Sequence, residues 1–223
     1  MAEHVSSGFL GSLTPEEHRA FLRRGRRQRF RSGAALFREG ERSEGVLAVL
    51  SGRVKVSYFT DEGQEIVLAM RAQGELLGEL STIDGEPRSA TGTAVGPVEA
   101  LAVTAEDFAE FLQEHPRVGL VLLRTLSRRL REATRRRIEY GSLNTTARVA
   151  ARLVDLADQY GEASGSRVRI LLPLTQEELA GWVGASREAV SKALRALRQR
   201  GWIETHRRGI TVLNRDALRQ HAP

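Results

Sequence analysis

The sequence predicts an α+β chain: an N-terminal antiparallel β-roll, one long helix, and a small helical unit closed by a hairpin. Three observations predict it. Between residues 30 and 104, short apolar stretches alternate with polar residues at period two and are punctuated by glycines, the pattern of an antiparallel sandwich or roll. From residue 116 to about 140, apolar residues recur at helical spacing. Beyond residue 174, two short helical patterns meet at Gly184 and are followed by two strand-like runs.

The elements follow in order. Thr14 caps the first helix, Pro15 suits its first position and Glu17 completes a capping box, so the helix should reach about Arg24. The strand candidates are Val46-Leu47-Ala48-Val49-Leu50, Val54-Lys55-Val56-Ser57-Tyr58, Ile66-Val67-Leu68 and residues 98–103. Gly40, Gly52, Gly63, Gly74, Gly85 and Gly96 are read as turns between them, with Asp61-Glu62-Gly63 a hairpin turn. Residues 105–114 form a short helix with Phe108, Phe111 and Leu112 on one face. Pro116 opens the long helix, on which Gly119, Leu123, Leu126, Leu130, Ala133 and Arg137 recur with 4-3-4-3-4 spacing, a short coiled-coil seam. Such a seam serves either the helix's own domain or a partner; Val118, Leu120 and Leu122 on a second side provide enough apolar surface for both. Leu123, Leu126, Leu130, Ala133 and Arg137 are therefore the candidate dimer interface. Gly141-Ser142-Leu143-Asn144 predicts a hinge. Thr145 to Tyr160 is an amphipathic helix ended by Gly161, followed by a polar turn over 162–166 and an apolar strand over 168–172. The expected domains are 1–115, a linking helix and hinge over 116–143, and 144–223.

With 223 residues, 41% hydrophobic and 28% charged, the chain has the composition of a globular protein of one large or two modest domains. No run approaches the ~20 apolar residues of a membrane span, and residues 1–7 lack the layout of a signal peptide. The absence of cysteine excludes disulfides, thiolate metal sites, iron–sulfur clusters and cysteine nucleophiles, and five scattered histidines argue against a histidine-built metal site. A cytoplasmic setting, no membrane association and no metal or covalent cofactor are expected. The net charge is +6, and 32 of the 34 basic residues are arginine. Residues 144–223 hold 13 Arg/Lys and 8 Asp/Glu, a surplus of +5, whereas the first 143 hold 21 and 20, a surplus of +1. The positive charge is thus concentrated at the C-terminal end, an electrostatic footprint for a polyanion.

Within that basic segment, Thr175-Gln176-Glu177-Glu178 is a capping box opening a helix that Gly184 ends, and Ser186 caps a second. Two helices crossing through so short a turn need a small residue at the contact, a glycine able to take positive φ, and an aliphatic residue that locks the second helix. Ala180, Gly184 and Val190 supply these, the pattern of a helix-turn-helix. The runs 201–205 and 209–213 form a hairpin whose loop carries Arg207 and Arg208, a wing. Double-stranded DNA is the implied partner. Thr175, Gln176, Ser186, Arg187, Glu188, Ser191, Lys192, Arg207 and Arg208 are the candidate contacts, while Arg195 and Arg198 fit a solvated face. Arg187 has the fork to bond a guanine O6/N7 edge, and Glu188 can accept from a cytosine amino group. No catalytic constellation, P-loop or nucleophile elbow is present in residues 144–223, so no enzyme activity is expected.

The run Gly74-Glu-Leu-Leu-Gly78-Glu79-Leu80-Ser81-Thr82-Ile83-Asp84-Gly85-Glu86-Pro87-Arg88-Ser89-Ala90 pairs a glycine–glutamate step with an arginine–serine step. A phosphodiester is matched by a guanidinium, a hydroxyl and free backbone amides, and a ribose hydroxyl by a fixed carboxylate. With the roll, the long helix and the winged helix-turn-helix, this cassette resembles the cyclic-AMP receptor protein (CRP/FNR) family of bacterial transcription regulators over nearly the whole chain. The resemblance implies a β-roll of the cyclic-nucleotide-binding type, a dimerisation helix and an allosteric effector. Gly78 would then give a backbone amide, Glu79 would hold the ribose 2′-hydroxyl, and Arg88 and Ser89 would bind the cyclic phosphate. Leu80, Ala90, Arg129, Ala133 and Thr134 complete the implied ligand set. Arg187, Glu188 and Lys192 match the family's base-contacting positions, with lysine where arginine is frequent.

One departure concerns the base. The family's adenine-reading threonine falls on Ala133, and Thr134, one residue on, is rotated by about 100° around the helix. The implied function is a homodimeric regulator of palindromic operators, with cyclic AMP the first expectation for the effector, and cyclic GMP, another nucleotide or no effector the alternatives. RNA polymerase is an implied partner if the chain activates. A nucleotide-binding regulatory module of an enzyme complex is the reading from another class.

Overall fold

The computed structural model describes residues 8–165, 167–170, 175–206 and 209–222. They form two compact units: Val67–Glu132 with the residues up to Thr60, and Asp61–Ile66 with the residues from Ala133 on. The division between the units, at Glu132 and Ala133, falls inside the helix that makes up most of the expected linking segment 116–143.

The first unit opens with α1 (Pro15–Arg23), which starts at the expected capping box. Thr14 Oγ1 accepts from the Glu17 amide at 3.2 Å, and Glu17 Oε2 accepts from the Thr14 amide at 2.8 Å. Glu17 also accepts from Arg117, whose Nε lies 2.8 Å from Oε1 and whose Nη2 reaches Oε2. The hydrogen bond from Arg117, assisted by Thr14, holds the Glu17 carboxyl at about 2, against an ordinary 4.5. Because the folded-state value is depressed, this contribution to stability is complete above about pH 4.5 and is lost as the pH falls toward 2. Glu17→Gln should therefore flatten the acid limb of the stability curve in that window, measured by circular dichroism; superimposable acid curves would refute the assignment.

Six strands follow: β1 (Arg26–Phe30), β2 (Ala35–Phe37), β3 (Gly45–Phe59), β4 (Glu65–Ala72), β5 (Leu76–Leu77) and β6 (Thr91–Thr104). The sheet order is β1-β6-β3-β4, with β2 also on β6 and β5 also on β3. Two expectations are corrected. The roll begins at Arg26 rather than near Phe30, because β1 is a charged strand held by its pairing with β6 and carries no apolar alternation. Gly52 and Gly96 do not separate strands; they lie inside β3 and β6. The register slips between Ser51↔Glu99 and Arg53↔Val95, so both strands bend through a bulge and continue. Gly52 has φ +86°, and a Cβ there would lie 2.4 Å from the Pro97 carbonyl oxygen.

A short helix, α2 (Glu79–Asp84), follows β5 where the sequence suggested only a connection. After β6 come α3 (Ala105–Glu114) and α4 (Pro116–Ser142). One core joins α1, α3 and the start of α4 to the outer face of the roll: Phe21 is fully buried, with ring centroids 5.7, 6.4 and 5.1 Å from those of Phe9, Phe108 and Phe111. A second core fills the roll with Leu47, Val49, Val54, Leu77, Ala94, Val98 and Ala100. Val118, Val121, Leu122 and Thr125 are the buried side of α4. Leu126 is half-buried against the first core, whereas Leu123 and Leu130 stand 60% and 69% exposed.

Helix α4 runs on through Gly141 and Ser142, whose hydroxyl donates to the Ile138 carbonyl at 2.8 Å. Of the expected hinge residues, Gly141 and Ser142 are therefore helical, and Leu143 and Asn144 lie between two helices. Asn144 caps α5 (Thr145–Tyr160), its side chain accepting from the Ala147 amide. The predicted polar turn is largely a strand: β7 (Gly161–Ser164) pairs with β8 (Arg167–Ile170) through cross-strand backbone bonds that need no apolar pattern. Leu171 and Leu172, the expected end of that strand, lie outside the described residues, as do Ser166 and the wing residues Arg207 and Arg208. Then come α6 (Gln176–Val183), α7 (Arg187–Gln199), β9 (Ile203–His206), β10 (Gly209–Val212) and α8 (Arg215–His221), the last not anticipated. The wing strands join β7 and β8 in one sheet of order β7-β8-β10-β9.

Candidate functional site

The cassette is built around Arg88. Gly78 adopts φ +75° at the start of α2, and Gly85 adopts φ +76° at its end, so the chain turns sharply on both sides of one short helix. The loop after α2 is clipped to residues 40–41: the Arg88 amide donates to the Glu41 carbonyl at 2.8 Å, and the Gly40 amide to the Arg88 carbonyl at 2.9 Å. The Arg88 side chain then runs inward, 7% exposed. Its Nη1 donates to the Gly78 carbonyl at 2.8 Å and to Ser81 Oγ at 3.2 Å, and its Nη2 to the Gly45 carbonyl at 2.7 Å. The guanidinium lies 4.9 Å from the Phe37 ring centroid. A Cβ on Gly78 would sit 2.1 Å from Arg88 Nη1, so glycine is required there twice, for its dihedral and for this approach. Burial pulls the Arg88 pKa below the ordinary arginine value against the pull of Glu79, Glu41 and Glu44, and the group stays cationic. Arg88 Nε is buried and meets no hydrogen-bond partner among the described residues.

Glu79 is equally buried, at 4% exposure. Arg129 of α4 donates to its Oε1 at 2.6 Å and to the Leu76 carbonyl at 2.8 Å. The structure thus brings together Gly78 and the charged part of the expected ligand set, Glu79, Arg88 and Arg129. Ala90 is buried beside them in sequence, while Ser89 and Leu80 are exposed, as are Ala133 and Thr134 on α4. A half-open pocket of about 830 Å³ has Arg88 in its wall with Phe37, Glu41, Arg42, Glu44 and Asp107; Gly78, Glu79 and Arg129 do not line it. Sequence reasoning missed Ser81, Phe37 and the Gly45 carbonyl, which orient the guanidinium. No sequence signal marks them, since each meets Arg88 through the fold.

In the second unit the helix-turn-helix has the expected parts. Thr175 Oγ1 accepts from the Glu178 amide at 3.1 Å, and Glu178 Oε2 accepts from the Thr175 amide at 2.9 Å. Gly184 adopts φ +60°, and its amide and that of Ala185 return to the Ala180 carbonyl. Ala180 and Val190 are buried at the crossing. Ser186 Oγ accepts from the Ala189 amide at 3.2 Å and so caps α7. Thr175 and Ser186 therefore have cap roles whatever else they touch. Gln176, Arg187, Glu188 and Lys192 are exposed together with them, and Ser191 is half-buried. The Glu188 carboxyl lies below the usual carboxylate range, held there first by its own backbone amide and then by Ser186, so it is an ionised acceptor at the start of α7.

A family model of the cyclic nucleotide-binding domain matches residues 27–115, and one of the Crp-like helix-turn-helix domain matches residues 147–221. Carried on one chain, the two define a cyclic-nucleotide-binding transcription regulator with a helix-turn-helix DNA-binding domain, not an enzyme. The chain is 33% identical over 193 residues, 86% of each protein, to the CRP-like cAMP-activated global transcriptional regulator of Mycobacterium tuberculosis. It is 34% identical over 189 residues, 85% of this chain and 84% of the relative, to the Cyclic AMP receptor protein of Thermus thermophilus. Among solved structures, the c-di-GMP responsive global regulator CLP of Xanthomonas campestris shares the fold at a TM-score of 0.80 and 24% identity, over 89% of this chain and 99% of that one. The chain belongs to the CRP family of transcription regulators.

Proposed function

We propose that the chain acts in the cytoplasm as a homodimer that binds a palindromic operator under the control of a cyclic nucleotide, contacting RNA polymerase where it activates. The observation that carries this reading is the convergence of Gly78, Glu79 and Arg88: a guanidinium buried beside a buried carboxylate, as a cyclic phosphate joined to a ribose requires. Exposed Leu123 and Leu130 support self-association along α4. Nucleotide binding would favour the arrangement in which two α7 helices meet major grooves about 34 Å apart. Titration of the purified chain with a panel of cyclic nucleotides, read by calorimetry, tests it; cyclic AMP heads the panel because relatives carry it in their names, and cyclic GMP follows. The absence of heat from every member would overturn the ligand assignment. A second reading, DNA binding that hardly depends on nucleotide, is favoured by Ala133 and by the Arg129 clasp on Glu79; footprinting with and without ligand separates the two. At the operator, Arg187→Ala should cost about 1–3 kcal/mol at a single base pair. Operators varied one position at a time measure this, and a loss uniform across all of them would make Arg187 a phosphate contact.

A further inference from the structure

Tyr140 stands in the last turn of α4, in the part of that helix that belongs to the second unit. Its hydroxyl donates to the Trp182 carbonyl at 2.9 Å. Its ring runs alongside Gly184, where an added Cβ would meet Tyr140 Cε1 at 3.3 Å and Cδ1 at 3.5 Å. Arg148 of α5 lies 5.7 Å from the centre of the same ring, and donates to the Tyr140 carbonyl at 3.3 Å and to the Gly184 carbonyl at 3.4 Å. The last carbonyls of a helix have no partner within it. In α6, eight residues long, the Gly184 and Ala185 amides both return to the Ala180 carbonyl, so the Trp182 carbonyl takes its donor from outside. Tyr140 and Arg148 are thus a cap brought to α6 by α4 and α5. The carbonyls they hold lie at the turn, residues 184–186, that sends the chain into α7.

We propose that Tyr140 is a positioning residue for DNA recognition: its hydroxyl fixes the tilt of α7, and with it the reach of Arg187, Glu188 and Lys192 to base edges. The inference rests on the reading of α7 as the recognition helix. α6 is short and meets α7 through three residues, with Ala180 and Val190 buried at the crossing. Few contacts set the angle between the two helices, and a hydrogen bond at the turn is one of them. Bonds to base edges need their donors and acceptors held to within a fraction of an ångström, whereas contacts to phosphates carry no sequence information. A hydroxyl that holds the turn therefore acts on discrimination between sequences and not on attraction to DNA as such. The size of its effect is bounded. The bond can bias the orientation of α7 by no more than its own net free energy, which corresponds to about two- to tenfold.

The test uses two duplexes: one selected from a random-sequence pool by the wild type, with cyclic AMP and cyclic GMP present, and a scrambled copy of it. Fluorescence anisotropy gives the ratio of the two affinities for the wild type, Tyr140→Phe, Tyr140→Leu and the double variant Arg187→Ala/Lys192→Ala. Denaturant unfolding gives the stability of each. Tyr140→Phe keeps the ring beside Gly184 and removes only the donor, so its ratio should fall about fivefold while its affinity for the scrambled duplex stays that of the wild type. Tyr140→Leu loses the ring as well, and its ratio should fall further. A residue that only stabilised the fold would lower the unfolding midpoint and leave the ratio, measured without denaturant, at the wild-type value. An unchanged or raised ratio in Tyr140→Phe therefore overturns the role of Tyr140 and leaves α7 as the recognition helix. A wild-type ratio in the double variant overturns the recognition-helix reading itself, and the role of Tyr140 with it.

Discussion

Arg88→Ala is expected to weaken cyclic-nucleotide binding by at least about 100-fold, or about 3 kcal/mol, while the protein remains folded. The magnitude follows from the environment. A guanidinium 7% exposed acts at low effective dielectric, where a charge-assisted bond to a phosphate is stronger than in water. The same side chain also organises the cassette, because it bonds the Gly78 and Gly45 carbonyls and Ser81. Its removal takes a donor from the Gly45 carbonyl and one from the Gly78 carbonyl, which keeps the Thr82 amide and hydroxyl, and an acceptor left unpaired where water cannot reach costs about 1–3 kcal/mol. Arg88→Lys separates the two contributions. Lysine keeps the charge but presents one ammonium in place of a planar fork, so it can serve the phosphate or the carbonyls and not all at once. Its affinity should fall between the wild type and Arg88→Ala. Calorimetry measures both variants; wild-type affinity in Arg88→Ala would refute the assignment of the cassette.

How far the sequence foretold this site depends on the range of the interactions. The helix-turn-helix was legible because each part is local: Thr175 and Ser186 cap within three residues of themselves, and Gly184 takes positive φ by itself. The pair Gly78–Glu79 and Arg88 were legible as chemistry, but not the helix between them. Residues 79–84 make fewer than two turns, too short for a periodic signal. Gly52 and Gly96 misled for a related reason. A glycine marks positive φ, and whether the strand ends or bulges there is decided by the strand opposite. The link from Arg71 to Glu79 has no local signal, because it runs through Glu75 and through Arg129 on a helix more than fifty residues away. The charge asymmetry pointed to the second unit but not to its internal electrostatics, where the basic residues are partly consumed by carboxylates.

Arg152 is the clearest case of that consumption, and its removal should have the largest effect on stability in the second unit. The residue lies on α5, 2% exposed, over the Trp182 ring at 5.4 Å. Its Nη1 bonds Asp155 at 2.8 Å and its Nη2 lies 3.6 Å from Glu139. Arg135, 57% exposed in its side chain, reaches the same two carboxylates at 3.1 and 3.4 Å. Arg152→Ala leaves Glu139 and Asp155 with that one solvent-facing partner and opens space beside Trp182. Breaking one side of a buried ion pair costs about 3–5 kcal/mol; the remaining Arg135 places the expectation near the lower end, about 3 kcal/mol. Both tryptophans of the chain, Trp182 and Trp202, belong to this unit, so denaturant unfolding followed by tryptophan fluorescence reports on it selectively. A companion variant fixes the cause. Arg152→Met combined with Glu139→Gln and Asp155→Asn removes the charges together and keeps the packing, and a buried ionic cluster replaced as a whole is often neutral. It should recover most of the loss. If the triple variant is as unstable as Arg152→Ala, the guanidinium stabilises α5 through contact with Trp182 and not by neutralising the carboxylates. If neither variant shifts the midpoint, Arg152 does not stabilise the unit that carries α7.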